Sequence, residues 1–456
     1  MSSHRSWKRS ATRAVLATGA AVWLGAGAAG ASEQRYQSQL EAVARQAPRA
    51  QDAEPFAGAP VLERAALVRQ VLARNPSLEA AREAWRASLE RYPRETALED
   101  PMLSYGVAPL SIAGSGRFGQ SVELSQQLPF PGKRDLRGEM ALAEARSMRE
   151  DREAMRLRLA LMASTLFDEL FVVERSLAVT EEHLRLLGQL KKSAEAQYVT
   201  GRASQQDPLQ AEVELSEVLR EQVMFEAERE RLRAQLNGLL HRAPQAPLPP
   251  VPEALPTLAA EALSAEQLQD EALRLRPELE GLRARLGGGE AAVRLAKRDY
   301  YPDVMVMGSY NSMWMDTPHQ FMAGVTVNIP LDFGKRKAAV HEAEAGLKRL
   351  RREEEQLIDD IRVEVEQARS RAEETRRVVA LFQERLAPAA RDQVAAARAG
   401  FESGKNGFQV LIEAERNLRR VELREQTALA DVQRRQAELD RALGHIPGLP
   451  RNGETR

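Results

Sequence analysis

The sequence predicts a mostly α-helical fold with a small β part, present twice along one chain. Three observations support this prediction. Several short motifs recur about 200 residues apart, long stretches place apolar residues at steps of three and four, and short stretches alternate apolar with polar residues. The first observation indicates an internal duplication, the second long helices, and the third strands.

Paired segments along the chain show the duplication. The earliest pair is offset by 201 residues and the latest by 203, so small insertions account for the change. The pairs are 75–78 with 276–279, 100–101 with 301–302, 128–134 with 329–336, and 198–201 with 401–404. Because ordered self-similarity at a nearly fixed spacing is improbable by chance, the chain consists of two repeats. We place these repeats at residues 61–240 and 263–444.

The first residues have the features of a secretory signal peptide. Basic residues precede an apolar run over 14–29, which ends in Ala29-Gly30-Ala31. The run is shorter than the roughly 20 residues that span a bilayer as a helix. We therefore expect residues 1–31 to be removed and the mature protein to begin at or near Ser32. Residues 32–60 lack sustained periodicity, and we expect them to be extended or disordered.

Each repeat contains a predicted β-hairpin. An apolar stripe at 103–107 precedes an alternating stretch at 121–128, and a stripe at 304–306 precedes one at 323–329. At an offset of 201 the same face is apolar in both repeats. Turn-forming residues lie between the strands, namely Gly114, Gly116 and Gly119 in the first repeat and Asn311, Asp316 and Pro318 in the second.

A long helical pattern follows each hairpin. Apolar residues recur at steps of three and four from Ala163 to Leu187 and from Leu357 to Leu386, which is typical of coiled-coil seams. Residues 134–198 contain no proline, so one helix of about 97 Å is possible at 1.5 Å per residue. Helices of this length are typical of coiled coils and helical tubes, because a globular helix averages about 11 to 12 residues.

A proline-rich linker at 241–262 separates the repeats, since its prolines prevent a continuous helix or a central strand. Residues 445–456 form a C-terminal tail that we expect to be extended or disordered.

Composition and hydropathy narrow the possible functions. The 65 basic and 66 acidic residues are interleaved, so no basic face predicts nucleic-acid binding. The absence of cysteine excludes disulfides, thiolate metal sites and an acylated cysteine. No later stretch is a membrane helix, so any membrane crossing must use strands. Because barrels of one chain start at about eight strands, four strands would require several chains.

Motifs for enzymes and metals are weak. His341 and Glu342 lack the second histidine of a zinc-protease helix, and Gly287-Gly288-Gly289 lacks the lysine of a phosphate loop. We interpret this run as close packing or a flexible helix, although the sequence does not explain why three glycines weaken the helix expected there. We therefore predict no catalytic, cofactor-binding or metal site, and no enzyme.

Methionines cluster around the second hairpin, with His319 nearby. They are Met305, Met307, Met313, Met315 and Met322. Thioethers favour Cu(I), but methionine is also a flexible apolar filler, and the sequence does not decide between these roles.

Several of these motifs resemble the TolC-type outer-membrane efflux proteins, over about 62–443. Segment 198–203 leading to 207–211, and segment 401–404 leading to 410–414, look like that family's periplasmic tip turns. Segment 127–134 looks like the strand-to-helix joint of its heavy-metal branch. Independently of the resemblance, a glycine at each turn suits a reversal that needs positive φ. Asp207 and Pro208 should cap and begin the next helix.

The resemblance implies a protein of the Gram-negative outer membrane with a large periplasmic portion and no cofactor. It implies a homotrimer whose chains each give four strands to a twelve-stranded β-barrel and long helices to a periplasmic helical barrel. It also implies docking to a periplasmic adaptor and an inner-membrane RND-type pump. The adaptor-contacting tip residues would be Tyr198, Gly201, Phe401 and Gly404.

A possible gate residue is Glu413. In the resembling family acidic side chains ring the periplasmic entrance, and Glu413 falls where one belongs, whereas Val410 stands where another would be. The alternative is an ordinary solvated or salt-bridged helix carboxylate, with Arg416 and Asn417 one turn away as partners.

Three functions remain open from the sequence. The first is the outer-membrane channel of a tripartite efflux system that conducts heavy-metal ions or small toxic molecules. The second is a type I protein-secretion conduit of the same architecture. The third is a periplasmic coiled-coil adaptor or scaffold without a membrane part.

Overall fold

The computed structural model describes residues 26–46, 54–56, 58–108, 119–201, 203–256, 258, 263–312 and 320–450. The helices of the first repeat and its N-terminal segment are α1 (Ala26–Arg45), α2 (Arg64–Arg74), α3 (Pro76–Leu89), α4 (Arg91–Thr96), α5 (Lys133–Val199) and α6 (Gln206–Leu239). Those of the second repeat are α7 (Ala265–Leu275), α8 (Pro277–Arg298), α9 (Phe333–Leu381), α10 (Ala387–Glu402) and α11 (Phe408–Leu443). The strands are β1 (Met102–Ala108), β2 (Gly119–Leu128), β3 (Val304–Asn311) and β4 (Phe321–Val327).

The chain divides into two compact units. The first comprises the described residues of Met1–Ala47, Ala81–Arg152 and Glu278–Gln356, and the second those of Pro48–Ala80, Glu153–Pro277 and Leu357–Arg456. Each unit contains parts of both repeats, so the division does not follow the duplication. Within the described part of the chain, no helix is both long and apolar enough to cross a membrane.

The first unit contains a four-stranded antiparallel sheet in the order β1-β2-β3-β4. Strand β1 pairs with β2, and β3 with β4, which confirms the two predicted hairpins. Strand β2 also pairs with β3, with Val122 opposite Tyr310 and Leu124 opposite Gly308. This central pairing joins the two repeats in one sheet.

The two faces of this sheet differ in polarity. Side chains alternate along a strand, so residues directly opposite each other share a face. The apolar face carries Leu103, Tyr105, Val107, Val122, Leu124, Leu128, Val304, Val306, Tyr310, Phe321, Ala323, Val325 and Val327. On this chain Leu103 is 71% exposed and Val325 67% exposed. The opposite face carries mostly serine, glutamine, threonine and methionine.

The strand ends differ from our expectations. Gly119 and Asn311, expected in the turns, are the first residue of β2 and the last of β3. Asn311 stays in the ladder because its N–H donates to Gln320 O at 2.8 Å. Ile329, expected within the second hairpin, lies beyond β4, since β3 begins at Val304 and offers no residue opposite it. The other predicted turn residues lie outside the described residues.

A buried lysine connects the sheet to the first long helix. Gly132, with φ +85°, precedes Lys133 at the start of α5. The Lys133 side chain is 4% exposed, and its Nζ lies 3.0 Å from Asp303 and 3.3 Å from Asp299. Nζ also donates to Tyr301 O at 3.2 Å. These contacts tie the start of α5 to the residues that lead into β3.

Helix α5 is a single helix of 67 residues, which confirms the helix predicted over 134–198. In the second repeat the helical path is less regular. Residues 382–386 form a π-helical turn between α9 and α10. Pro388 follows this turn, and its ring would clash with the carbonyl of residue 384 in a regular α-helix. Leu386, expected in the apolar seam, is 40% exposed.

The expectation that residues 32–60 are extended or disordered is wrong for the first part of this segment, because α1 continues to Arg45. Tyr36, Leu40 and Val43 lie on one face of α1 and pack in a cluster with Trp85 and Leu89. This burial stabilises α1, whose run of regularly spaced apolar residues is too short to be recognised as a helix from the sequence. Helix α1 also runs across the expected cleavage site before Ser32, while residues 1–25 lie outside the described residues.

Close helix packing explains two of the three consecutive glycines of α8. A Cβ atom added at Gly288 would lie 3.0 Å from Ala143 Cβ of α5. One added at Gly289 would lie 3.2 Å from Leu350 and 3.3 Å from Leu347 of α9. The glycines therefore let α8 approach two neighbouring helices, although they weaken α8 itself. Gly287 has open space, and no contact explains it.

A buried acid lies in the core of the second unit. Asp168 of α5 is completely buried, and one carboxylate oxygen pairs with Arg64 of α2. The other oxygen, Oδ2, has no hydrogen-bond partner among the described residues. Burial raises the pKa of Asp168 to about 7, against the opposing effect of Arg64.

Candidate functional site

Two equivalent turns reverse the chain in the second unit. After α5, Gly201 has φ +71°, and its N–H donates to Tyr198 O at 2.9 Å. After α10, Gly404 has φ +69°, and its N–H donates to Phe401 O at 3.0 Å. Positive φ favours glycine because it has no Cβ. The prediction of two positive-φ glycine turns is therefore confirmed, and the two repeats use the same geometry.

The helices restart differently after the two turns. Helix α6 begins at Gln206, so Asp207 lies within its first turn and is not the N-cap that we expected. The Asp207 carboxylate accepts from Ser204 N–H at 3.3 Å, and Ser204 Oγ accepts from Gln206 N–H at 3.1 Å. Ser204 and Asp207 thus cap the helix together, in the manner of a capping box.

In the second repeat, α11 begins after Gly407 without a side-chain cap, and Val410 occupies the position equivalent to Asp207. Because the Val410 side chain has no hydrogen-bond acceptor, the second tip lacks the side-chain capping interaction of the first.

An apolar cluster brings the two turns together at one end of the second unit. It contains buried side chains from α5, α6 and α11, with Phe401 of α10 packed against it. These buried residues are Leu187, Ala194, Ala211, Val218, Phe408 and Ile412. The Phe401 and Phe408 rings meet edge to face, with their centroids 5.4 Å apart. We call the two turns and this cluster the tip.

The predicted contact residues of the tip differ in exposure. Tyr198 is 46% exposed, and the neighbouring Val199 is 83% exposed. Gly201 and Gly404 are also exposed, and a Cβ at either would meet no atom within 4 Å. Phe401 is only partly exposed, because it packs on the cluster. Three of the four predicted residues are thus available to a partner, and the fourth has mainly an internal role.

Below the tip, ion pairs connect α6 of the first repeat to α11 of the second. Glu214 is 6% exposed, and its carboxylate accepts from Arg416 Nε at 3.1 Å. Arg419 lies 3.5 Å from Glu214 and 3.2 Å from Glu221. Sequence analysis missed this network, because the partners are about 200 residues apart and no local spacing indicates the pairing.

The structure places Glu413 on the exposed side of α11. Its carboxylate accepts from Gln409 Nε2 at 3.1 Å. The two partners that we expected bind elsewhere, since Arg416 pairs with Glu214, and Asn417 donates to Gln393 at 2.9 Å. Glu413 thus has the position of an ordinary solvated helix carboxylate, and among the described residues no salt bridge joins it to a cation.

A second acid of α11 is buried. The Glu415 side chain is 1% exposed and lies 3.4 Å from Arg398. Burial raises the pKa of Glu415, while His183 and Arg398 oppose the rise. His183 pairs with Glu422 at 3.0 Å. Across the described ranges, no group of three histidines, cysteines or acids could bind a metal ion.

Residues 268–445 match the family described as "Outer membrane efflux protein". The outer-membrane channel OprN has a similar structure, with a TM-score of 0.74 and 19% identity over 88% of this chain and 98% of that chain. CusC gives a TM-score of 0.74 and 18% identity over 87% of this chain and 96% of that chain. A membrane protein from Pseudomonas aeruginosa gives a TM-score of 0.74 and 20% identity over 89% of this chain and 97% of that chain. No curated protein sequence matches the chain.

The chain therefore has the same fold as these solved structures. Residues 268–445 resemble the outer membrane efflux protein family, and the similar solved structures share the fold over most of the chain.

Proposed function

We propose that this protein is the outer-membrane channel of a tripartite efflux system, which conducts heavy-metal ions or small toxic molecules to the exterior. The observation that carries the proposal is the polarity of the sheet. One face presents apolar side chains from all four strands, and the other is largely polar. Such a sheet suits a boundary between lipid and water.

The proposed assembly is a homotrimer. Four strands are too few to enclose a channel, whereas three copies supply twelve. In this arrangement the apolar face contacts outer-membrane lipid, and the long helices form a periplasmic tube. A large exposed apolar face is typical of a membrane or protein-binding surface, and a coiled-coil scaffold does not require one. The sheet therefore favours the channel over the scaffold.

The tip is the proposed docking site for a periplasmic adaptor, which in turn would connect to an inner-membrane RND-type pump. Tyr198, Gly201 and Gly404 offer exposed surface for such a contact. We also propose that Glu413 contributes to a cation-attracting constriction, because its carboxylate is exposed and has no salt-bridge partner in the described chain. In a trimer three copies of Glu413 would then approach one axis.

The test uses the full chain, expressed with its leader and extracted from the outer membrane in mild detergent. Native mass spectrometry should give a trimer, and migration on a denaturing gel should change after heating. Planar bilayers containing the trimer should show discrete conductance steps. A monomer that fractionates with periplasmic proteins and gives no conductance would contradict the proposal and support the scaffold.

A further inference from the structure

We propose that Lys335 forms an ion pair with Asp100 of a neighbouring copy of this chain, and that this pair sets the register between β4 of one copy and β1 of the next. The ion pair rests on the proposed homotrimer and goes beyond it, because it names the groups that join adjacent copies. The supporting observation is a difference between two joints at which a strand leads into a long helix. The first joint is 128–134, between β2 and α5, and the second joint is 329–336, between β4 and α9.

The two joints make the same contact within their own repeats. In the first joint, Arg134 Nε donates to Thr96 O at 2.6 Å. In the second joint, Arg336 Nε donates to Asp299 O at 2.8 Å. Each acceptor lies at or just beyond the end of the helix that precedes the hairpin of that repeat. The second joint is therefore folded like the first.

The joints differ in their contact with the next repeat. Lys133 of the first joint is buried, and its Nζ lies 3.0 Å from Asp303 and 3.3 Å from Asp299, just before β3. Lys335 is the equivalent lysine at an offset of 202, and it is exposed. Strand β4 is an edge of the described sheet, and no described residue forms a salt bridge with Lys335. The second joint thus lacks the acidic neighbour that the first joint has.

An acid at the other edge of the sheet can supply this neighbour. At the offset of 201, segment 299–303, which contacts Lys133, corresponds to segment 98–102 before β1. This segment contains Asp100, which is exposed and takes part in no salt bridge within the described chain. Asp100 is the equivalent of Tyr301, whose carbonyl accepts from Lys133. Asp100 therefore stands where a neighbouring copy would present it to Lys335.

The exact position of the acid differs between the two contacts. Leu98 and Met102 stand at the positions of the two acids that bind Lys133, and Asp100 lies between them. The second joint also has one residue more than the first before its Gly-Lys-Arg motif, so Lys335 is displaced by one place. Both groups are thus shifted relative to the first joint, and Asp100 is the anion that we assign to Lys335.

The pairing of β2 with β3 provides the register of the contact. Strands β1 and β4 are the two edges of the described sheet. In the centre of the sheet, Gln126 is opposite Val306. The offset of 201 that relates the strand ends converts this pair into Val327 opposite Tyr105 of the neighbouring copy. Both side chains belong to the apolar face, so this register keeps that face continuous from one copy to the next.

The first test reverses charges in the full chain, extracted from the membrane in mild detergent. Lys335→Glu should raise the monomer-to-trimer ratio in native mass spectrometry about tenfold, because like charges then face each other. Asp100→Lys should have the same effect, and the double variant Lys335→Glu with Asp100→Lys should restore the wild-type ratio. The control is Lys348→Glu, a change of an exposed lysine on the same helix, which should leave the ratio unchanged.

The second test measures the register by disulfide cross-linking, since the chain contains no cysteine. Val327→Cys with Tyr105→Cys should give dimers and trimers on a denaturing gel that disappear on reduction. Within one chain β1 and β4 are three strand spacings apart, about 14 Å, which is too far for a disulfide. The control pair, Val325→Cys with Leu103→Cys, is displaced by four residues from the proposed register and should not cross-link.

The outcomes separate this ion pair from the proposed function. A trimer that is insensitive to Lys335→Glu, or a double variant that is no more stable than the single variants, would overturn the ion pair and leave the channel intact. Cross-linking of the control pair in place of Val327→Cys with Tyr105→Cys would overturn the register. A wild-type protein that is monomeric in the detergent extract would overturn both the ion pair and the proposed homotrimer.

Discussion

Glu214 of α6 and Arg416 of α11 form an ion pair between the two repeats, with Arg416 Nε 3.1 Å from the Glu214 carboxylate. The same carboxylate lies 3.5 Å from Arg419, whose side chain is 9% exposed. One acid therefore compensates two cations, one of which is almost completely buried. The contact fixes α6 against α11 just below the tip.

Replacing Glu214 should loosen this contact. Glu214→Ala leaves Arg419 buried with Glu221 as its remaining partner, and we expect a loss of about 3 kcal/mol. Thermal unfolding, monitored by circular dichroism, measures this loss of stability. The control is Glu217→Ala, whose exposed partner Arg220 is on the same helix, and it should cost less than about 1 kcal/mol. Equal losses for the two variants would show that the network is not stabilising.

At the two tip glycines, the cost of a substitution should depend on how readily the new residue adopts positive φ. Since a Cβ at Gly201 meets no atom within 4 Å, the penalty of substitution comes from its φ of +71° alone. Gly201→Val should distort the turn at a cost of about 1–2 kcal/mol, whereas Gly201→Asn should cost less, because asparagine adopts positive φ more readily.

Pull-down of a periplasmic adaptor measures the functional effect. Binding should fall for the valine variant and recover for the asparagine variant, with trimer yield unchanged. The same order is expected at Gly404. If valine and asparagine weaken the pull-down equally, a side chain at the surface blocks docking and the turn geometry is not the cause.

Stability should depend on pH through Asp168. Its pKa is about 7 in the folded protein and about 4 in an unfolded chain. Between these values the folded state retains a proton that the unfolded state has lost. Stability from this group therefore falls as the pH rises from 5 to 7, by up to about 1.4 kcal/mol per unit, and changes little above 7.

The measurement compares melting of the wild type and Asp168→Asn between pH 5 and 8. The difference between the two curves should change below pH 7 and level off above it. Glu181→Gln, an exposed change on the same helix, is the control and should give a constant difference. A constant difference for Asp168→Asn would show that the carboxylate remains ionised beside Arg64.

The gate proposal predicts a change in ion selectivity. Glu413→Gln keeps the side-chain size and its contact to Gln409 but removes the charge. Reconstituted channels should lose part of their preference for cations and part of their response to pH, because a ring of negative charge is removed. The exposed control Glu402→Gln, next to the second turn, should change neither property. Identical currents for wild type and Glu413→Gln would leave Glu413 as a surface residue.

Local patterns in the amino-acid sequence were sufficient to predict the duplication, the four strands, the 67-residue helix α5 and the two glycine turns. Each of these depends on local chemistry. Alternating apolar and polar residues predict a strand, and apolar residues at steps of three and four predict a helix. Positive φ at Gly201 and Gly404 favours a residue without a Cβ. Such signals lie within a few residues of one another, so they can be read without knowing the fold.

The contacts between distant groups became known from the folded chain. It formed α1, where three apolar residues gain stability by packing on Trp85, and it assigned Gly288 and Gly289 to close helix packing. It paired Glu214 with Arg416 and left Glu413 with Gln409 instead. The physical reason is that burial, ion pairing and the pairing of β2 with β3 depend on distances between segments about 200 residues apart, which no local pattern specifies.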